Sequence, residues 1–369
     1  MTQIKTVIID NGTGSTKAGF GGEDTPRHVF PTIVGYPKEG NKFIGDQLSK
    51  SKTKLKLVFP IKRRGITEWQ ELEDLWDYTF KQKLEVEPEN ARLFLTEPPL
   101  ETNENREKKC QVLFETFGIN SLALNIQPVL SLYSFSKQNG VVLEIGKSYS
   151  STCCVFQGTV IPQTINRLHL GGKDITKYLI KLLNGEKNEE KQLTLEKDWD
   201  LIRSIKEKMC FVSKNPSTEE KRSSLNQLTK TFESNNSTFT LSKNRYLATE
   251  ILFKPQLINL NNEPNITSLI TKSVGQCDER IQNEIYHSIV ITGGSSRFKG
   301  LKERVEKELK TLLGNRSFNV IFPVDTLISA WVGASMLSVA QNFQESWFTK
   351  EQYNEIGVKE VHKRFYHQF

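Results

Sequence analysis

The residues best placed to do chemistry open the chain. The apolar run Val7-Ile8-Ile9 reads as a buried strand, and it ends on a carboxylate, Asp10. Asn11-Gly12-Thr13-Gly14-Ser15-Thr16 then turns the chain through two glycines and small hydroxyl residues, and Lys17-Ala18-Gly19-Phe20 re-enters an apolar segment. Glycines at 12 and 14 let backbone N–H groups approach an anion with no Cβ in the way. Lys17 adds a positive charge, and Asp10 can hold a divalent cation through water. These residue types in this order could cradle a Mg2+-bound polyphosphate, although a plain structural turn would use the same glycines. The spacing is neither that of a P-loop nor that of a dinucleotide-binding turn. A strand–turn–strand hairpin is therefore expected, with phosphate held in the turn and not on a helix N-terminus.

The same grammar returns later in the chain. Val141-Val142-Leu143-Glu144-Ile145-Gly146 is again an apolar run, a carboxylate, one residue and a glycine, followed by Lys147, Ser148 and a second apolar segment. Such an echo predicts a duplicated α/β domain. Two carboxylate-tipped hairpins facing one another would grip a phosphate tail from both sides. A third apolar strand, Ile289-Val290-Ile291-Thr292, meets Gly293-Gly294 and then a helix with the stripe Leu301, Val305, Leu309 and Leu312, stopped by Gly314. An adenine ring or an α-phosphate could rest against that backbone.

The elements that must position these turns are legible by period. Thr67 with Gln70 predicts a capping box, ahead of a helix burying Trp69, Leu72, Leu75, Trp76, Phe80 and Leu84. Arg92-Leu93-Phe94-Leu95-Thr96 reads as a strand, and a charged helix is expected over 103–117. Gln127 starts a helix with Pro128 in its first turn. Gly171-Gly172-Lys173-Asp174 opens another, and Ile202, Ile205, Met209 and Val212 mark a further helical stripe beside Lys206 and Glu207. Residues 36–65 read as a small exposed lobe or linker, 213–238 as weakly patterned and partly mobile, and 259–265 as a polar loop.

Bulk properties bound the rest. A chain of 369 residues is long for one core, so two domains are expected. The five cysteines form neither a disulfide framework nor a zinc spacing, and the five histidines show no ligand pattern. No apolar run is long enough to span a membrane. The sequence enters its first strand at once, leaving no room for a signal peptide, so an intracellular chain is expected. The net charge of +7 is dispersed and carries no nucleic-acid motif, which favours acidic protein surfaces over direct nucleic-acid binding.

Taken in order, these segments resemble the actin family over almost the whole chain. The likeness lies in Asp10-Asn11-Gly12-Thr13-Gly14 with Lys17-Ala18-Gly19-Phe20, Leu95-Thr96-Glu97-Pro98-Pro99-Leu100, Ile126-Gln127-Pro128-Val129-Leu130, Ile205-Lys206-Glu207-Lys208, Thr292-Gly293-Gly294 and Trp331-Val332-Gly333-Ala334-Ser335. The resemblance implies an α/β, actin-like ATPase fold of two duplicated lobes around a nucleotide cleft, with ATP or ADP and Mg2+ as cofactors. The first lobe would comprise 1–134 and 328–369 with a small inserted subdomain near 33–60. The second would comprise 135–327 with a helical insertion near 171–259. By the same resemblance Asp10 and Glu144 attend the metal through water, and Gly12, Thr13, Gly14, Lys17, Gly146 and Lys147 line the phosphates. Lys206 and Glu207 lie near the base and ribose, Gly293 and Gly294 on the adenosine side, and Gln127 positions the attacking water.

The departures from the family pattern shape the functional expectation. Actin's second loop carries Asp-Ser-Gly-Asp-Gly and then a histidine. Here Glu144-Ile145-Gly146-Lys147-Ser148 stands in its place, with Ser151 at the histidine position and Leu327 where a lysine approaches the adenine. The loop at 36–46 is short by about ten residues against the family's filament-contact loop, a reach of up to about 35 Å of extended chain. The C-terminal run Arg364-Phe365-Tyr366-His367-Gln368-Phe369 is aromatic and basic. Together these imply a scaffold or capping subunit of a larger cytoskeletal assembly in the cytoplasm, with weak or no ATP hydrolysis. Its partners would be other protein subunits, with acidic surfaces such as those of tubulin suiting the charge. A polymerising actin-like ATPase and a nuclear subunit of a chromatin-remodelling complex are the alternatives.

Overall fold

The computed structural model describes residues 4–51, 53–186, 193–234 and 237–361. The basic aromatic run Arg364–Phe369 falls outside the described residues. The chain divides into two compact units. One holds Met1–Val142, Cys153–Ile165 and Leu327–Phe369; the other holds Leu143–Thr152 and Asn166–Thr326.

The first unit is built on a six-stranded sheet. Its central strands are β1 (Lys5–Asn11), β2 (Ser15–Phe20), β3 (Ala91–Glu97) and β4 (Ser121–Ile126), with His28–Pro31 and Phe348–Thr349 at the two edges. Strands β1, β3 and β4 run parallel, and β2 returns antiparallel beside β1. Side chains alternate across such a sheet, so each buried run feeds two cores. Val7, Ile9, Leu93, Leu95, Leu122 and Leu124 face one layer with Trp76, Phe80 and Phe114. Ile8, Phe94 and Ala123 face the other, against Leu130 and against Trp331 and Ala334 of the helix Ser329–Val339. Each of these large side chains contributes about 1.5–3 kcal/mol by leaving water.

Helix α1 (Trp69–Tyr78) continues as a π-type turn over Thr79–Leu84, and its predicted face is buried, apart from the half-buried Trp69. The predicted capping box does not form: Glu68 precedes the helix with no side-chain cap. Thr67 is instead tethered through its N–H to the Pro60 carbonyl (2.9 Å), and Glu68 takes Lys62 Nζ at 2.6 Å. The charged helix begins at Asn103, capped by the Thr102 hydroxyl, and changes to a π-type turn at Val112. Of the small lobe or linker expected over 36–65, residues up to 58 belong with Val34–Gly35 to a three-stranded sheet of Val34–Tyr36, Phe43–Ile44 and Lys56–Val58.

In a second sheet, β5 (Gly140–Ile145) lies between β6 (Ser150–Phe156) and β7 (Ile289–Thr292), and β7 pairs in parallel with Val320–Ile321. Helices α3 (Gly172–Glu186) and α4 (Leu195–Met209) bury Ile175, Leu179 and Leu183, and Ile202, Ile205 and Met209, at helical spacing. Described residues of the segment read as weakly patterned carry regular structure: helix Pro216–Ser224 precedes the antiparallel pair Lys230–Ser234 and Ser237–Leu241. Its register puts Phe232 opposite Phe239, a cross-strand aromatic pair that polar composition conceals. Helix α5 (Leu301–Leu313) ends at Gly314 as expected, but Leu312 is 51% exposed and not part of its buried stripe.

Candidate functional site

The first glycine turn hangs from the carboxyl ends of parallel strands, where α/β sheets gather polar groups. Asp10 is opposite Lys17 in the β1–β2 register, so both side chains leave the same face, and Lys17 Nζ meets Asp10 Oδ2 at 2.9 Å. Because Ile9 aligns with Leu95 on β3, Thr96 comes beside Asp10, and its hydroxyl donates to Oδ1 at 2.5 Å. Strand β4 ends at Ile126, and α2 (Gln127–Tyr133) starts there, which brings Gln127 Nε2 to Asp10 Oδ1 at 2.9 Å. All four side chains are buried. Burial alone would raise the Asp10 pKa, but the Lys17 charge and the hydrogen bonds from Thr96, Lys17 and Gln127 outweigh it and hold the carboxyl below the usual range.

The turn itself is closed by Gly12 N–H donating to the Ser15 carbonyl (3.1 Å), while the Thr32 hydroxyl donates to the Gly12 carbonyl (2.8 Å). Thr13 and Gly14 form its half-buried tip. Asn11 binds outward from the turn, accepting from Trp76 Nε1 at 2.8 Å and donating to the Thr16 hydroxyl at 3.0 Å. A Cβ at Gly12 would come within 3.4 Å of Lys17 Nζ and 3.1 Å of the Ser15 carbonyl, so a side chain there would crowd the ammonium. An ammonium has three donors. Lys17 directs one to Asp10 and a longer one (3.4 Å) to the Ser15 carbonyl, which suits it to a further anion.

The second glycine turn repeats the first within its own unit. Gly146 N–H donates to the Tyr149 carbonyl at 3.0 Å, and a Cβ at Gly146 would stand 3.1 Å from that oxygen, the same distance as at Gly12. The Gly146 carbonyl accepts from Gly172 N–H (2.9 Å) and from the Ser295 hydroxyl (2.9 Å), and the Lys147 carbonyl accepts from Lys173 N–H (2.8 Å). Gly293 has φ +92°, and a Cβ on it would meet the Ile145 carbonyl oxygen at 2.5 Å, so the end of β7 can lie against β5 only without a side chain. Gly294 is exposed at the start of a short 3-10 turn. The expected helix does not begin at the double glycine; α5 starts only at Leu301, with Gly300 before it.

Around this turn the charge is positive. Lys206 is buried on α4 and donates to the Gly172 carbonyl at 3.1 Å, and burial lowers its pKa. Its neighbour Glu207 is exposed. Lys147 Nζ is shielded from solvent and lies 4.6 Å from the Trp199 ring centre, with the Arg203 guanidinium 5.2 Å from the same ring. Desolvation, then Arg203, Lys173 and Lys206, push the Lys147 pKa down to about 7. Glu144 lies two residues before Gly146, partly buried.

A directly ligated metal does not fit these residues: among the described residues no group of three or more His, Cys, Asp or Glu could hold one. A carboxylate offers about four lone-pair sites, and Lys17, Thr96 and Gln127 occupy three on Asp10. One lone-pair site on Asp10 remains for a water.

Sequence reasoning brought Asp10, Lys17 and Gln127 to one place and missed Thr96 as their partner. The signal was present in the strand Leu93-Phe94-Leu95-Thr96, because a parallel neighbour of β1 in that register must end beside Asp10. It also missed Trp199, Arg203 and Ser295, which no local pattern marks.

The actin family model matches residues 1–366. Members of that family generally bind nucleotide with a divalent metal. Among the described residues no helix is long and apolar enough to cross a membrane. With a mixed α/β architecture, twin glycine turns each preceded by a carboxylate, and a match over nearly its whole length, this chain belongs to the actin family.

Proposed function

We propose that this chain binds ATP or ADP as a structural ligand and serves as a scaffold or capping subunit of a larger protein assembly, turning over ATP slowly or not at all. The observation that carries the reading is the pair of turns at Gly12 and Gly146, closed by the same hydrogen bond at 3.1 and 3.0 Å but furnished with opposite chemistry. The first keeps Asp10, Lys17 and Gln127 in one buried network, which supports phosphate binding. The second carries Lys147, close enough to Arg203, Lys173 and Lys206 to feel their charge, where an acid would help to organise metal and water. Losing groups that position the nucleophile slows an in-line attack by about a hundredfold or more while leaving binding in place. Bound nucleotide would stabilise the fold by mass action. The net charge of +7 suits acidic protein partners. A cytoskeletal setting in the cytoplasm agrees with the family.

The test is direct. Natively purified protein is denatured and its released nucleotide identified, and the same preparation is assayed for ATP turnover and for sedimentation after salt addition. Stoichiometric ADP or ATP, with turnover far below that of conventional actin and no pelleting, is expected. Rapid turnover with filament formation would reverse the reading in favour of a polymerising ATPase. The one observation favouring that alternative is Gln127, which is held on Asp10 as a water-positioning residue would need to be.

A further inference from the structure

We propose that the outer edge of the strand Lys56–Val58, with the lysines around it, is a docking site for an extended, glutamate-rich segment of a partner protein; the inference rests on the assembly-subunit reading above and names the partner's chemistry. Dispersed as the lysines and arginines are along the chain, their excess over acids is not. Residues 33–66 hold nine of them against Glu39 and Asp46, a net charge of +7 that equals that of the whole chain, so the remainder is neutral. Lys50, Lys52, Lys54 and Lys56 stand at every second position. In extended chain that period turns side chains to one face. Accordingly Lys54 and Lys56 are exposed, while Leu55 and Leu57 are half-buried. Leu55 lies over Gly35, where an added Cβ would meet its Cδ1 at 2.8 Å.

The small sheet runs in the order Phe43–Ile44, Val34–Tyr36, Lys56–Val58, which leaves Lys56–Val58 at an edge. One side of it pairs antiparallel with Val34–Tyr36, and among the described residues the other side has no backbone partner. An open edge takes an added strand through main-chain hydrogen bonds. Lysines on an edge discourage strands in general, but they attract an acidic one. The acids of this region are engaged elsewhere. Asp46 accepts from the Tyr78 hydroxyl and from Lys83, both at 2.6 Å. Asp74 takes Lys42 at 2.5 Å, Glu68 takes Lys62 at 2.6 Å, and Asp77 takes Lys81 at 2.6 Å. Glu71 accepts from the Tyr36 hydroxyl at 3.1 Å. Glu39 is exposed and Glu73 half-buried, and neither forms an ion pair among the described residues. By the same measure Lys38, Lys50, Lys54, Lys56 and Arg64 are exposed cations that meet no acid. Single surface pairs are weak, so affinity needs several in register. A strand with glutamate at every second position supplies them across the edge. Single-stranded nucleic acid would call for aromatic platforms between the cations; here Ser51, Thr53, Leu55 and Leu57 alternate with them.

The experiment is fluorescence anisotropy of labelled decapeptides titrated with the full chain at low and at physiological salt. One peptide alternates Glu with Ala; the other alternates Glu with Pro, which keeps the charge but lacks the N–H groups at every second position. Wild type is compared with Lys54→Glu/Lys56→Glu and with Lys230→Glu/Lys310→Glu, an equal charge change at exposed lysines of the other unit. Circular dichroism is the control for folding. Salt-sensitive binding of the Glu-Ala peptide, tighter than that of the Glu-Pro peptide, supports the proposal if Lys54→Glu/Lys56→Glu weakens it about tenfold or more and the second variant does not. Equal loss in both variants, equal affinity for both peptides, or no binding overturns it. Tighter binding to a thymidine oligonucleotide or to phosphatidylserine vesicles through the same lysines also overturns it, by giving the edge to another polyanion. Absence of peptide binding leaves the assembly-subunit reading standing, since turnover and sedimentation decide that. Peptide binding by a chain that proves to be a filament-forming ATPase would keep the docking site and sink that reading.

Discussion

Removing the charge of Lys147 should stabilise the ligand-free chain, and the gain should fade as pH rises. The ammonium is held at about 7 against an ordinary value of 10.5, by desolvation first and then by Arg203, Lys173 and Lys206. The unfolded chain keeps the ordinary value. Between the two values the unfolded state therefore binds the extra proton, and stability rises with pH across that window. Below the folded value both states are protonated and the full penalty applies. At about 1.4 kcal/mol per pKa unit, that penalty approaches about 5 kcal/mol, of which about 3 kcal/mol is relieved by about pH 9. Lys147→Met keeps the stem, can rest its thioether against the Trp199 ring, and carries no charge. Urea unfolding of nucleotide-free wild type and variant, followed by tryptophan emission, is compared at about pH 6 and about pH 9. The variant should be several kcal/mol more stable at the lower pH, and its advantage should shrink by about 3 kcal/mol at the higher. Histidines and other groups titrating in that range cancel in the difference. An advantage independent of pH would show that Lys147 is not the enclosed cation described, and a less stable variant at the lower pH would refute the reasoning outright.

Lys17→Met should cost about 3–5 kcal/mol near neutral pH, because it strands the buried Asp10 carboxylate; adding Asp10→Asn should recover much of that loss in denaturant titrations. The contribution of Asp10 is present above its ordinary value and is lost as pH falls through its lowered folded value, so acid unfolding of Lys17→Met should begin at higher pH than in wild type, as circular dichroism would record. Thr96→Val deletes the 2.5 Å donor to Asp10 and should destabilise by about 1.5–3 kcal/mol, measured in the same way. Gly293→Ala should cost several kcal/mol, or about 3 in order of magnitude, since its Cβ would sit 2.5 Å from the Ile145 carbonyl oxygen at φ +92°; a neutral outcome in thermal melts would mean that β7 can shift away from β5.

What was legible in the sequence was local and periodic. Val7-Ile8-Ile9-Asp10 followed by Gly12 announced a strand, a carboxylate and a turn, and the echo at Glu144 and Gly146 announced a second. Hydrogen bonds from Gly12 to Ser15 and from Gly146 to Tyr149 bear the likeness out, because a tight turn is dictated by the few residues that make it. The continuous apolar run of β1 likewise read as a buried strand, and the structure divides Val7 and Ile9 from Ile8 into separate cores. Local reasoning failed where a competing tether was available. Thr67 could cap a helix by its type, yet its backbone is claimed by Pro60, and the helix starts two residues later.

The partners of the chemical groups were decided only by tertiary structure. Asp10 is completed by Thr96 and Gln127, which lie 86 and 117 positions further along and arrive through the register of three parallel strands. Lys147 meets Trp199 and Arg203 through the packing of α4, and nothing in the spacing of a lysine and a tryptophan records that approach. The sequence alone determined which residues turn, which are buried and which could carry charge, since these follow from backbone freedom and side-chain period. Whether a charge is answered by an acid or crowded by other cations depends on distance in space, and only the folded chain sets that distance.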